Sequence, residues 1–257
     1  MTTDIKQPYV KSETKNGITT IEFFHPQSNS LPSAILQDLA LAITQAGKNT
    51  ECRVIVLRSG GARAFCAGAS FDELAAISSE AEGLRFFSGF ALVINAMRTC
   101  GKFVVARIQG KCVGGGVGLA SAADYSIAVK EADVKLSELA VGIGPFVVGP
   151  AIERKIGVGG FQTLAVDAAT FRSSQWAYEA GLFSELHDTA DSMDQAVDKL
   201  AVFLAQSSPD AMAEMKKIFW KGTEHWDVLL QERAAISGRL VLGEHARNFI
   251  EAARSKK

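Results

Sequence analysis

Three stretches of the chain, residues 54–57, Phe103–Ile108 and Tyr125–Val129, are nearly continuous apolar or β-branched runs. A strand without polar alternation is buried on both faces, and parallel sheets built from such strands are covered by helices on both sides. Residues 18–23 differ: they alternate around Thr19, Thr20 and Glu22, as a half-exposed strand does. Between that strand and the run at 54, residues 32–46 place Ile35, Leu36, Leu39, Ala42, Ile43 and Ala46 on one helical face. Pro32 stands near the start of this helix and Gly47 just past its end. Strands separated by helices of this length favour crossover connections and parallel pairing, so the first two thirds of the chain read as α/β.

The last third reads as helical. Met193, Ala196, Val197, Leu200, Phe203 and Leu204 repeat at helical spacing behind Ser192-x-x-Gln195, which has the form of a capping box. Pro209, after Ser208, opens a second helix striped by Met212, Met215, Ile218 and Phe219. A third carries Trp226, Leu229, Leu230, Ile236, Leu240 and Val241. The Met and aromatic stripe is expected to serve core or subunit packing. No repeat, low-complexity tract or Pro/Ser linker intervenes, so a helical region over 191–257 is expected to pack on an α/β core over 1–190.

Several function classes are disfavoured. With 257 residues, 47% of them hydrophobic, the chain can bury a sizeable core. Its uncharged run over residues 139–152 is too short and too rich in Gly and Pro to cross a bilayer. Residues 1–11 carry Asp4, Lys6 and Pro8 with no apolar run, so a secretory core is not expected and a cytoplasmic location is. A net charge of −1 gives no global field to gather nucleic acid or anionic membrane. Cys52, Cys66, Cys100 and Cys112 lack C-x-x-C spacing and read as reduced structural thiols. His25, His187, His225 and His245 are scattered without ligand spacing, so neither a metal site nor a Ser-His-Asp triad is expected.

Chemistry is suggested by three segments. Ala64-Phe65-Cys66-Ala67-Gly68-Ala69-Ser70-Phe71 follows the strand at 54–57 and its Gly60-Gly61 turn; small residues there allow either a tight connection or close approach of a ligand to the backbone. Gly110-Lys111-Cys112-Val113-Gly114-Gly115-Gly116-Val117-Gly118 joins the strand Phe103–Ile108 to a helix-like stretch, where free N–H groups could face an anion. It lacks the Gly-Lys-Ser/Thr of a P-loop. In Leu136-Ser137-Glu138, one carboxylate heads the uncharged run. Glu138 is either a desolvated acid/base with a pKa raised towards neutrality, or a salt-bridged residue at a loop edge.

In this order and spacing, the segments resemble the crotonase (enoyl-CoA hydratase/isomerase) family, from about Gly17 to the C-terminus. Ser174-x-x-Ala177-x-x-x-Gly181-Leu182 adds to the resemblance. It implies an α/β superhelix, or spiral, of ββα turns with a C-terminal helical trimerisation region, and hence a homotrimer or dimer of trimers. It also implies an enzyme acting on an acyl-CoA thioester through an enolate, with coenzyme A entering as part of the substrate and no separate cofactor.

By the same resemblance, the catalytic residues are Glu138, as general acid/base, and Ala69 and Gly115, whose backbone N–H groups would form an oxyanion hole. Cys66, Ala67, Gly68, Ser70, Phe71 and Gly114 would contact the CoA thioester, and the apolar Phe71 to Phe90 region, including Phe86 and Phe87, would wall the acyl pocket together with Phe146. The sequence departs from two-glutamate hydratases at Gly118, where they carry a second Glu, and at Ser70, where Asp is common. Phe146-Val147-Val148 replaces their glycine-rich stretch after the proline. A lone Glu138 favours a 3-enoyl to 2-enoyl isomerase, while hydration with another group in the second position stays open. Arg85 or Arg154 could meet a second carboxylate on the acyl chain. A non-catalytic, RNA-binding relative is the remaining alternative, disfavoured by the even charge and by the retained Glu138.

Overall fold

The computed structural model describes residues 7–255; most of the segment read for a secretory core lies outside them. The chain runs β1 (Tyr9–Lys15), β2 (Ile18–Phe24), α1 (Ser33–Lys48), β3 (Val54–Ser59), α2 (Phe71–Leu74), α3 (Glu80–Thr99), β4 (Phe103–Ile108), β5 (Cys112–Val113) and α4 (Gly115–Ala122). It continues through β6 (Tyr125–Val129), β7 (Val134–Lys135), a 3-10 turn (Leu139–Val141), α5 (Gly149–Val166), α6 (Ser174–Glu179) and β8 (Glu185–His187). Four helices close it: α7 (Ala190–Gln206), α8 (Pro209–Phe219), α9 (Trp226–Leu240) and α10 (Glu244–Arg254).

The main sheet has the order β1-β2-β3-β4-β6-β8. The apolar runs form its centre: every residue of β4 is buried, and β3 is buried except at Arg58. They pair in parallel, as their two-sided burial requires, and β2 alternates buried and half-buried residues. The sheet is nevertheless mixed, because β1 joins β2 antiparallel across the Asn16-Gly17 turn.

Some local expectations are corrected. Gly47 does not end α1 but lies within it, where a β-carbon would meet the Cys100 carbonyl oxygen at 2.5 Å. Thr189 caps α7, not Ser192; Ser192 is the third helical residue and donates its N–H to the Thr189 hydroxyl at 3.1 Å. α10 is an additional helix, amphipathic but largely charged, with only Ala246 and Ile250 buried.

The C-terminal helices share the core. Met193, Val197, Met212, Trp220, Trp226, Leu230 and Ala234 belong to the same apolar cluster as the sheet. α9 crosses α3 at two facing glycines: a β-carbon on Gly83 would lie 2.6 Å from the α-carbon of Gly238. α10 covers a second apolar cluster, in which Ile250 meets Leu74, Ile77, Phe86 and Ile143. No described helix is long and apolar enough to cross a membrane.

Candidate active site

Two short ladders join the three glycine-rich and acidic segments. Cys66 forms a parallel bridge with Cys112, and its carbonyl accepts the Val113 N–H at 2.9 Å. β5 pairs in turn with β7, and Gly114 donates to the Lys135 carbonyl at 2.8 Å. Residues 66–69, 112–115 and 134–138 therefore run side by side despite their separation along the chain. Leu31 holds the outer edge, donating to the Gly68 carbonyl at 2.7 Å and accepting from Ser70 N–H at 3.0 Å.

These bonds orient two other N–H groups. In a trans peptide the N–H points opposite to the carbonyl before it. Gly68 directs its carbonyl at Leu31, so the Ala69 N–H faces the other way, towards β5 and α4. Gly114 directs its carbonyl into α4, accepting from Val117 at 2.9 Å and Gly118 at 3.3 Å; the Gly115 N–H accordingly leaves the helix at its N-terminus. Among the described residues neither N–H donates to a protein acceptor. Gly114 has φ +53° and ψ −118°, a backbone region closed to residues with a β-carbon, so glycine is required where the ladder turns into α4.

The segments border a cavity of about 250 Å³. Of the residues expected at the site, Ala67, Gly68, Ala69, Phe71, Phe86, Phe87, Gly114, Gly115, Glu138 and Phe146 line it. Cys66 and Ser70 do not. Cys66 is fully buried behind the loop, its thiol pushed up to about 12 by desolvation. Ser70 is also buried and caps α2, its hydroxyl accepting from Glu73 N–H at 3.3 Å. Neither Arg85 nor Arg154 reaches the wall: Arg85 is exposed, and Arg154 lies over the Trp220 ring.

Glu138 is the one acidic or basic residue among those lining the cavity. Its Oε2 is buried without a hydrogen-bond partner, and desolvation raises its pKa from 4.5 to about 7. Val141, Ile143, Pro145, Phe146, Val147 and Val148 supply the apolar surroundings, so much of the uncharged run forms a cavity wall. Leu139, at its head, is exposed instead.

Phe90, at the end of the region expected to wall the acyl pocket, lines the cavity from α3 and lies against Gly115. Ser237, which reaches the cavity from α9, was not apparent as a site residue. Ser30 also lines it and donates its hydroxyl to the Ala69 carbonyl at 2.9 Å, fixing the peptide that follows Ala69. A serine in a turn carries no signal for that role. Among the described residues no group of His, Cys, Asp or Glu is arranged to hold a metal ion.

The enoyl-CoA hydratase/isomerase family model matches residues 13–240. The chain is 28% identical over 199 residues to the (7aS)-7a-methyl-1,5-dioxo-2,3,5,6,7,7a-hexahydro-1H-indene-carboxyl-CoA hydrolase of Mycobacterium tuberculosis, covering 76% of each. It is 26% identical over 211 residues to the peroxisomal Delta(3,5)-Delta(2,4)-dienoyl-CoA isomerase of Arabidopsis thaliana, covering 76% of this chain and 74% of that one. The solved enoyl-CoA hydratase structure from Bacillus halodurans superposes with a TM-score of 0.87 at 23% identity, covering 95% and 99% of the two chains. These relatives carry names for different reactions, so the fold alone leaves the chemistry open.

Proposed function

Because the chain belongs to the enoyl-CoA hydratase/isomerase family, we propose that it moves a carbon–carbon double bond in an enoyl-CoA thioester from the 3 to the 2 position. The observation that carries this reading is Glu138, the single acidic or basic side chain in a largely apolar cavity. The thioester oxygen would accept the free N–H groups of Ala69 and Gly115. Deprotonated Glu138 takes a proton from C2, and the electron pair left behind becomes a dienolate whose negative oxygen faces those donors. The same carboxyl then returns the proton at C4, leaving the double bond between C2 and C3. One base therefore completes the cycle, with no net loss or gain of atoms or electrons. Such donors contribute on the order of 10²- to 10³-fold in rate, and a positioned acid/base roughly 10²- to 10⁴-fold.

The CoA portion would lie along Ala67, Gly68 and Phe71, and the acyl chain among Phe86, Phe87 and Phe146. Redox-neutral proton transfer of this kind calls on no cofactor beyond the coenzyme A carried by the substrate. Exposed Met215, Ile218 and Phe219 on α8 support assembly with further copies of the chain; light scattering on the purified protein tests the expected trimer or dimer of trimers, and a monomer would contradict it.

Purified protein is offered a 3-enoyl and a 2-enoyl CoA thioester while the conjugated thioester absorbance is followed. Gain from the 3-enoyl compound is expected, together with its loss in Glu138→Gln. Rapid hydration of the 2-enoyl compound without isomerisation, or undiminished activity in Glu138→Gln, would overturn the assignment.

A further inference from the structure

Gly118 lies one turn beyond Gly114 on α4, and its N–H donates to the Gly114 carbonyl. Gly114 caps the helix and a β-carbon on it would abut the Glu138 carboxyl, whereas a side chain at 118, inside α4, would be directed at Val148. That space is filled. A β-carbon on Gly118 would lie 2.4 Å from Cγ1 and 2.7 Å from Cβ of Val148, which is buried and lines the cavity. Val148 immediately precedes α5, and its carbonyl accepts from Ile152 at 3.2 Å while the next residue, Gly149, donates to Pro145 at 2.8 Å. Its side chain is thus held against α4 from both sides of its own peptide.

Resting on the isomerase reading above, we propose that Val148 is a specificity-determining residue that excludes hydration. Its isopropyl group takes the space beside α4 that a second polar group or an attacking water would occupy. Addition of water forms an oxygen–carbon bond at C3, sends one water proton to a base and requires a proton at C2. Double-bond migration needs only the proton removed from C2 to arrive at C4. A wall that admits no second carboxyl or water beside α4 therefore leaves the second reaction and suppresses the first.

Wild type, Val148→Ala, Gly118→Glu and the double variant G118E/V148G are compared on 3-enoyl and 2-enoyl thioesters. In Val148→Ala the ratio of hydration to isomerisation is expected to rise by about tenfold or more, and the midpoint of the isomerisation pH profile to fall as water reaches Glu138. Gly118→Glu with Val148 retained should gain no hydration, whereas G118E/V148G should. An unchanged ratio and pH midpoint in Val148→Ala would overturn the proposal, as would equal hydration by Gly118→Glu with and without Val148. Failure of wild type to isomerise would instead overturn the underlying reaction and this inference with it, and is recognised before any variant is compared.

Discussion

Gly114 abuts the Glu138 carboxyl so closely that a β-carbon on the glycine would lie 2.9 Å from Oε1. The contact joins the turn that directs the Gly115 N–H to the proposed base. Gly114→Ala must therefore distort a positive-φ turn and push against Glu138 together. Strain of about 1–3 kcal/mol at such a residue, applied to reacting groups, corresponds to a loss of about 5- to 160-fold in kcat. Steady-state kinetics with a circular dichroism control tests this; an alanine variant with wild-type kcat would show that the contact does not position the base.

Burial of Glu138 makes activity and stability respond oppositely to pH. Its folded pKa of about 7 lies above the ordinary 4.5, and the deprotonated form is the base. kcat/KM for isomerisation should rise with pH to a plateau, with a midpoint near 7. For stability, the folded state holds the proton more tightly than the unfolded chain does. The favourable contribution is full below about pH 4.5 and is lost as pH rises through 7, a change of at most about 3–4 kcal/mol. Glu138→Gln cannot ionise, so urea midpoints should place the variant's advantage over wild type higher at pH 8.5 than at pH 5. A pH-independent difference between the two proteins would contradict the buried, ionising carboxyl.

The elements most legible in the sequence were those with strong periodicity. The buried β3, β4 and β6 and the one-sided α1 announce themselves by where their apolar residues fall. β1 does not: Lys11, Ser12, Glu13 and Lys15 occupy much of this edge strand, whose residues are half-buried or exposed. α10 was hidden for a related reason, since only Ala246 and Ile250 of its eleven residues are buried. At the site, the glycines of 110–118 signalled close approach without naming the neighbour. Phe90 approaches Gly115 and Val148 approaches Gly118, both through tertiary packing that local spacing does not encode. Cys66 and Ser70 show the converse: they adjoin cavity residues in sequence, yet one lies behind the loop and the other caps a helix.

The Phe90–Gly115 approach predicts a non-additive pair. A β-carbon on Gly115 would fall 2.2 Å from Cζ of Phe90, so Gly115→Ala should displace the first turn of α4 and its N–H. Loss of such a donor costs on the order of 10²- to 10³-fold in kcat. Phe90→Leu removes part of the ring that the new methyl would strike, and the double variant should recover part of the loss at similar KM. Multiplicative losses in the double variant would show that the ring does not set the position of α4.

Away from the cavity, a buried ion pair ties α8 to the end of α4. Lys216 Nζ donates to Asp124 Oδ2 at 2.6 Å, and both side chains are buried. Val104 N–H donates to the same oxygen at 2.7 Å, while Trp220 Nε1 donates to Oδ1 at 2.9 Å. Lys216→Met would preserve most of the apolar stem but leave the carboxylate with neutral donors alone, a loss of about 3–5 kcal/mol for breaking a buried pair. Asp124→Asn in that background removes the unpaired charge while retaining a side-chain carbonyl acceptor, so the double variant should be more stable than Lys216→Met alone. Urea denaturation at neutral pH measures both steps. A Lys216→Met variant within about 0.5 kcal/mol of wild type, the spread of an ordinary surface substitution, would contradict a stabilising role for the pair.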